Sequence, residues 1–238
     1  MTAFLEIDAI TKKFGGFTAL DNITISVGRG ERVGLIGPNG SGKSTVVNCL
    51  SGVFSPELGA IRFRDQDLRG LRAFERTRLG IARSFQLPKP FRSLTVAENV
   101  RVPLLYAGRG RSKAIDEQCH DLLTRVALHD KADWLPAALT QVELRKLELI
   151  RAVATEPELL LADEAMAGLS GSEVTEIVAF LLQLSDDGVT IIMIEHIMSA
   201  VMSFSNRLVV LVSGKKVADG DPQVVVKDPI VESAYLGQ

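Results

Sequence analysis

Cysteine is scarce, with only Cys49 and Cys119 among 238 residues. They sit in different segments with no C-x-x-C or Cys/His spacing around either, which excludes a disulfide framework or spaced zinc site and fits a reducing cytosol. Long hydrophobic runs are missing too. The longest, such as Leu159 to Ala162 and Val189 to Ile194, fall far short of the ~20 apolar residues a membrane-spanning helix needs, so any membrane role is expected to come through a partner. Nor is there an excess of one charge. The 27 Lys and Arg are spread along the chain against 29 Asp and Glu, for a net charge of −2, so no nucleic-acid partner is expected. The opening MTAFLEIDAITKKF has neither a basic start nor a long apolar core and is not read as a secretory signal. Internal repeats, low-complexity tracts and charged tails are likewise lacking.

The composition present, 46% hydrophobic and 24% charged, is that of a globular protein with a full hydrophobic core. Short β-branched runs crowd the beginning: FLEIDAI, NITISV (22–27), ERVGLIG (31–37) and AIRF (60–63), separated by Phe14-Gly15-Gly16 and Gly28-Arg29-Gly30. VVNCLSGVF, after Lys43-Ser44-Thr45, reads as a helix. From about Leu94 to Thr155 the spacing turns helical in TVAENVRVPLLYA, SKAIDEQCHDLLTRVAL and TQVELRKLELIRAVAT, with a break at Gly108-Arg109-Gly110 between the first two. Strand and helix then alternate through PELLLADE, GSEVTEIVAFLLQLSDD, VTIIMIEH and IMSAVMSF to a hairpin at RLVVLVSGKKVADG. That alternation predicts a parallel sheet with helices on its faces.

Gly37-Pro38-Asn39-Gly40-Ser41-Gly42-Lys43-Ser44, followed by Thr45, satisfies G-x-x-x-x-G-K-[ST] between an apolar strand and a helix, the context that marks a phosphate cradle. Its glycines let backbone N–H groups face phosphate oxygens, and the helix N-terminus adds partial positive charge. Lys43 is placed to reach the β- and γ-phosphates of ATP, and Ser44 to offer a hydroxyl to Mg²⁺. Such a loop needs an acidic partner on a buried neighbouring strand. Leu159-Leu160-Leu161-Ala162-Asp163-Glu164 supplies it, with Asp163 expected to hold Mg²⁺ and Glu164 to polarise the attacking water. His196, closing VTIIMIEH, is expected at the same sheet edge, sensing the γ-phosphate or holding the water. Gln86, at the end of LGIARSFQ, can contact metal or water. His120, His129 and Trp134 have no constellation around them, and Met193, Met198 and Met202 are expected to pack in the core.

The order of P-loop, glutamine loop, helical lobe, apolar-run-Asp-Glu and strand-end histidine resembles the ATP-binding subunits of ABC transporters over essentially the whole chain. FGGFTALDNITISV, IARSFQ, DEAMAGL, IEHIMSAVMSFSNRLVVL and Ala234-Tyr235-Leu236-Gly237 are similar to the branched-chain amino acid importer subgroup. The resemblance implies an α/β fold with a P-loop NTPase core, an N-terminal antiparallel β subdomain and an inserted α-helical subdomain. Residues 1–238 would form one ATPase domain, with 1–86 and 151–238 as the nucleotide-binding core and 87–150 as the helical and signature subdomain. It also implies that Phe14 stacks on adenine, Gln86 is the glutamine-loop residue, Glu164 the catalytic carboxylate and His196 the switch histidine. ATP and Mg²⁺ are the implied cofactors. The implied partners are a second ABC ATPase subunit in a homo- or heterodimer, transmembrane permease subunits and, indirectly, an extracytoplasmic solute-binding protein. The implied location is peripheral, on the cytoplasmic face of the cell membrane. Two alternatives remain: an ATP-binding subunit with little turnover of its own, and a non-transport regulatory ABC ATPase.

The chain departs from the family where a partner's ATP is contacted. The signature, usually L-S-G-G-Q, reads Leu139-Thr140-Gln141-Val142-Glu143, and Ala167-Gly168-Leu169-Ser170 ends in serine where many members carry aspartate. A β-branched Val142 would crowd the partner's γ-phosphate, and Glu143 would repel it unless paired or protonated. Two unequal sites are therefore expected in a heterodimer, the active one formed by this chain's P-loop, Asp163 and Glu164 with the partner's intact signature.

Overall fold

The alternating stretch at the start of the chain forms a strand longer than its motif. In the computed structural model, which describes residues 3–107 and 114–236, β1 spans Leu5–Phe14 and pairs antiparallel with β2 (Phe17–Val27). After β3 (Arg32–Ile36) leaves for a second sheet, β4 (Leu58–Phe63) returns to the free edge of β1, and β5 (Gln66–Asp67) completes a four-stranded sheet in the order β2-β1-β4-β5.

The second sheet gathers β6 (Ile81–Ser84), β7 (Leu159–Asp163), β8 (Thr190–Ile194) and β9 (Arg207–Val212) parallel with β3, while β10 (Lys215–Gly220) turns back antiparallel on β9. Its order is β10-β9-β3-β8-β7-β6. The acidic strand is therefore not hydrogen-bonded to the P-loop strand. β8 lies between them, which brings the chain segment carrying His196 out between the phosphate loop and the carboxylates.

Both faces of this sheet are covered, so its central strands are apolar throughout and alternate only in which core they enter. Leu160, Ala162, Ile191 and Met193 pack with the helices α3 (Val96–Tyr106), α4 (Ile115–Arg125), α5 (Gln141–Val153) and α6 (Gly171–Asp186). Leu159, Leu161, Ile192 and Ile194 point the other way, toward α1 (Lys43–Leu50) and the antiparallel sheet. Met193 is fully buried, while Met198 and Met202, on α7 (Met198–Phe204), pack on a smaller cluster shared with α8 (Pro222–Val225) and α9 (Pro229–Leu236). Cys49 and Cys119 are buried free thiols. Trp134 is exposed, His120 and His129 meet edge-on with 6.4 Å between ring centres, and His129 Nε2 lies 3.2 Å from Asp130 Oδ1. Gly108-Arg109-Gly110 and Gly237 lie outside the described residues.

The helix after the P-loop is shorter than VVNCLSGVF suggests, ending at Leu50. An unforeseen helix, α2 (Ala73–Leu79), explains the stop. Its Arg76 is buried and donates to Cys49 O (2.5 Å), Leu50 O (3.0 Å), Leu68 O (2.9 Å) and Leu71 O (3.1 Å). Two of these carbonyls belong to the last turn of α1, which has no intrahelical partner for them. Replacing Arg76 with methionine fills the volume but removes the guanidinium from Cys49 O, Leu50 O and Leu71 O, while Leu68 O keeps the N–H of Leu71 at 3.2 Å. The expected loss is about 2–4 kcal/mol of unfolding free energy, or roughly 5–15 °C in melting temperature, read by circular dichroism. An unchanged melting temperature would show that water replaces the guanidinium without cost.

Candidate functional site

The loop from Gly37 to Gly42 is held in shape by conformations that side chains would prevent. Gly37 has φ +150° and Gly42 φ +107°, and a Cβ built on either would lie 2.1 Å from Leu211 O or 2.7 Å from Leu20 Cδ2. Pro38, Asn39 and Gly40 form the crest, with Asn39 and Gly40 exposed, while Ser41 is buried and its Oγ has no partner, an unsatisfied hydroxyl inside the loop. Lys43 opens α1 with only 8% of its surface exposed, and its Nζ donates to Gly37 O at 2.7 Å and Pro38 O at 2.9 Å. An ammonium has three protons, so one remains for a ligand in the loop. Burial pushes the Lys43 pKa down, and Glu164 and then Asp163 push it back. Ser44 is exposed and Thr45 half-buried on the first turn of α1.

Asp163 is the last residue of β7 and buried; Glu164, the next, leaves the strand at φ +46° with its N–H donating to Ile194 O at 2.9 Å. That backbone bond to β8 fixes the direction in which the second carboxylate emerges. Gln86, two residues beyond β6, donates through Nε2 to Glu164 Oε2 at 2.5 Å. The structure thus brings Gln86 and Glu164 into contact and sets both carboxylates against Lys43. His196 stands two residues past β8, its side chain 61% exposed and its Nδ1 4.0 Å from Glu195 Oε2. Phe14, at the end of β1, is 43% exposed and meets Phe54 edge-on at 5.1 Å, with Lys12 Nζ 5.3 Å from its ring centre.

At the signature, Thr140 caps α5 by accepting from Glu143 N, while Glu143 Oε2 accepts from Thr140 N at 3.0 Å and Oε1 from Lys131 Nζ at 2.5 Å. Burial raises the Glu143 pKa, but the bonds from Lys131 and Thr140 outweigh it and hold the carboxyl below its usual range. Val142 packs against the core beneath the helices. The expected repulsion is thus removed by pairing, and the expected crowding is lessened because the side chain that causes it is partly buried in its own chain. Ser170 opens α6 by donating through both N–H and Oγ to Glu173 Oε2 at 2.7 Å.

Two arginines of this region escaped the sequence reading. Arg83 on β6 pairs with Asp163 at 2.7 Å. Arg145, buried on α5, donates to Gln86 O and, at 3.1 Å, to Ala167 O, tying the glutamine loop to the segment after Glu164. The signal for Arg83 was available: a lone cation inside a four-residue strand of buried neighbours requires an acid on an adjacent strand.

The donors suit a hard cation that is also held by phosphate oxygens: a serine hydroxyl and a carboxylate, with no soft ligand. Among the described residues no cluster of three or more His, Cys, Asp or Glu could hold a metal by itself. Residues 20–167 match the family described as ABC transporter. The chain belongs to the ABC transporter family. Across its length it is 36% identical to the high-affinity branched-chain amino acid transport ATP-binding protein LivG of Escherichia coli (strain K12), covering 98% of each chain. It matches the ADP conformation of MJ1267, an ATP-binding cassette of an ABC transporter, at 30% identity and TM-score 0.90, covering 100% of both chains. The cassette MJ0796, solved as a dimer in a post-hydrolysis state with ADP and Pi, matches at 26% identity and TM-score 0.82, covering 92% of this chain and 98% of that one. This ABC subunit is accordingly an ATP-binding ATPase with the mixed α/β cassette fold. Among its described residues no helix is long and apolar enough to cross a membrane.

Proposed function

We propose that this ABC ATPase powers the import of branched-chain amino acids or a related small organic solute. The observation that carries the reading is the continuity of two sites through one residue. Gln86 touches Glu164 on one side, and on the other it opens the segment lining a groove of about 290 Å³ between Pro88, Pro90, Arg92, Pro136, Ala137 and Leu144. Leu87, Phe91, Trp134 and Leu135, adjacent in the chain to those residues, expose their side chains. Buried Asn99 pins the rim by donating to Phe91 O, Leu94 O and Thr95 O and accepting from Phe91 N. An apolar groove flanked in the chain by exposed apolar side chains, on a protein whose described residues include no spanning helix, suits a partner's apolar segment. The partner proposed is the cytoplasmic part of a transmembrane permease subunit, which places this chain peripherally on the cytoplasmic face. A solute-binding protein would sit on the opposite side.

Within the site, residues 37–45 would cradle the triphosphate, and Lys43 would hold its β- and γ-phosphates. Phe14 would stack on adenine. Ser44, Asp163 and Gln86 would serve Mg²⁺, which neutralises phosphate charge when bound. Glu164 would orient and deprotonate the attacking water, and His196 would sense the γ-phosphate. The division proposed is 1–86 and 151–238 as nucleotide core and 87–150 as helical and signature part. A second ABC ATPase subunit would complete each site.

The test is uptake. In cells lacking this chain, labelled leucine uptake should fall below a tenth of normal, return with the wild-type gene, and be competed by isoleucine and valine. Undiminished leucine uptake would overturn the solute assignment. A cassette that binds ATP with little turnover of its own is the second reading, which the altered signature permits where two copies of this chain pair, and uptake persisting with Glu164→Gln would support it.

A further inference from the structure

Asp163 is not alone at the end of β7. Arg83 reaches it from β6, Nη2 donating to Asp163 Oδ2 at 2.7 Å, while Nη1 donates to Asn48 Oδ1 at 2.7 Å and Ser51 Oγ at 3.3 Å. Asn48 lies on α1, whose first residue is Lys43, and Ser51 directly follows that helix. One guanidinium therefore ties the acidic strand to the phosphate-loop helix. The two side chains of the ion pair are 14% and 6% exposed, so water screens the pair little. Only one carboxylate oxygen is engaged: among the described residues Asp163 Oδ1 accepts no hydrogen bond.

We propose that Arg83 is a positioning residue that sets the grip of this site on the magnesium of Mg-ATP, anchoring Asp163 through Oδ2, leaving Oδ1 to the metal, and weakening the metal's hold as a fixed cation sharing the same carboxylate. The proposal rests on the reading that Asp163 serves Mg²⁺. Arginine suits the task on two counts. Its planar fork fixes the carboxylate's orientation, and its positive charge competes with the metal for the same carboxylate. A cation and a dication on one carboxylate repel each other strongly where water is excluded. The consequence is a metal site tight enough to form with ATP and loose enough to empty after hydrolysis.

Removing the guanidinium has two opposed effects. The carboxylate's charge becomes wholly available to the metal, and its orientation is lost. The first should dominate binding, because a full charge outweighs the ordering of one short side chain. The second should dominate turnover, which depends on geometry. A merely structural role for Arg83 would weaken metal binding and never tighten it.

The experiment titrates Mg²⁺ against binding of a fluorescent ATP analogue, with a parallel series in EDTA and steady-state phosphate release. For Arg83→Met, half-maximal Mg²⁺ should fall at least fivefold, affinity in EDTA should stay within twofold of wild type, and kcat should drop at least tenfold. Arg83→Lys, which keeps the charge and loses the fork, should need Mg²⁺ within twofold of wild type while kcat stays low. An unchanged or raised Mg²⁺ requirement in Arg83→Met overturns the proposal. Should that variant fail to fold, a fivefold shift in Arg83→Lys overturns it equally. Wild-type protein that binds ATP alike with and without Mg²⁺ would overturn the assignment of Asp163 and this proposal with it, whereas a responsive wild type beside an identically responsive Arg83→Met overturns this proposal alone.

Discussion

Replacing Lys43 with alanine is expected to lower ATP turnover by about 10²–10³-fold, equivalent to about 2.7–4 kcal/mol of lost transition-state stabilisation. The ammonium does two jobs from one position. Two of its protons hold the loop closed on itself through Gly37 O and Pro38 O, and the third is left for a ligand. Alanine removes the charge proposed to meet the phosphates and also the brace between Lys43 and the loop carbonyls. ATP affinity, followed by titration of a fluorescent analogue, should weaken along with turnover.

The same substitution should leave the fold standing. Lys43 is buried and its pKa is lowered mainly by that burial, so its charged form opposes folding and its removal relieves that cost. The carboxylates it leaves behind keep other partners, Arg83 for Asp163 and Gln86 for Glu164. A melting temperature within a few degrees of wild type, beside an ATPase rate below a hundredth, is the expected pair of results. Turnover above a tenth of wild type in Lys43→Ala would mean that the backbone amides alone hold the nucleotide.

What the sequence disclosed and what it hid divide along chain distance. The phosphate loop is contiguous, so its glycines, lysine and hydroxyls could be read together, and the structure places them in the turn after β3 and the first turn of α1. The apolar runs that became β3, β7, β8 and β9 were legible for the same reason. The helix α2 was not, because AFERTRL carries too many charges to show an apolar stripe, and its purpose is fixed by Arg76 reaching carbonyls of α1 that lie far back in the chain. Sheet order was equally hidden: nothing local says that β8 inserts between the phosphate-loop strand and the acidic strand. The pairing of Arg83 with Asp163 follows from that order and the register of β6 on β7, not from spacing in the chain.

The signature shows how a residue's type can mislead when its partner is unknown. Read alone, Glu143 is a negative charge aimed at a polyphosphate. In the fold it caps its own helix and pairs with Lys131, contributed by a short turn that precedes α5. The N-terminus of that helix therefore carries a compensated charge, and its remaining N–H groups keep their partial positive character. What distinguishes this chain from a standard signature is then chiefly Gln141 and Val142 in place of its two glycines, a matter of backbone approach rather than charge.

That distinction bears on the second large effect, expected for Glu164→Gln. Turnover should fall at least a hundredfold while ATP affinity stays within about threefold of wild type, because the substitution removes a proton acceptor and leaves the phosphate contacts alone. The geometry supports so clean a separation. Glutamine has the shape of glutamate, its carbonyl oxygen can accept from Gln86 Nε2 as Glu164 Oε2 does now, and the backbone bond from residue 164 to Ile194 O is indifferent to the side chain. A variant that binds but does not cleave should accumulate with ATP in place, and size-exclusion chromatography with ATP and Mg²⁺ should show it as a dimer or as a stable complex with its partner ATPase. If the complex is a heterodimer with unequal sites, Glu164→Gln should abolish most of its ATPase activity, and the matching change in the partner should cost less than half. Equal loss from the two changes would remove the asymmetric arrangement, and with Glu143 already neutralised by Lys131 it would leave Val142 as a tolerated substitution in a working signature. A variant retaining more than a tenth of wild-type turnover would instead take the proton-accepting role away from Glu164.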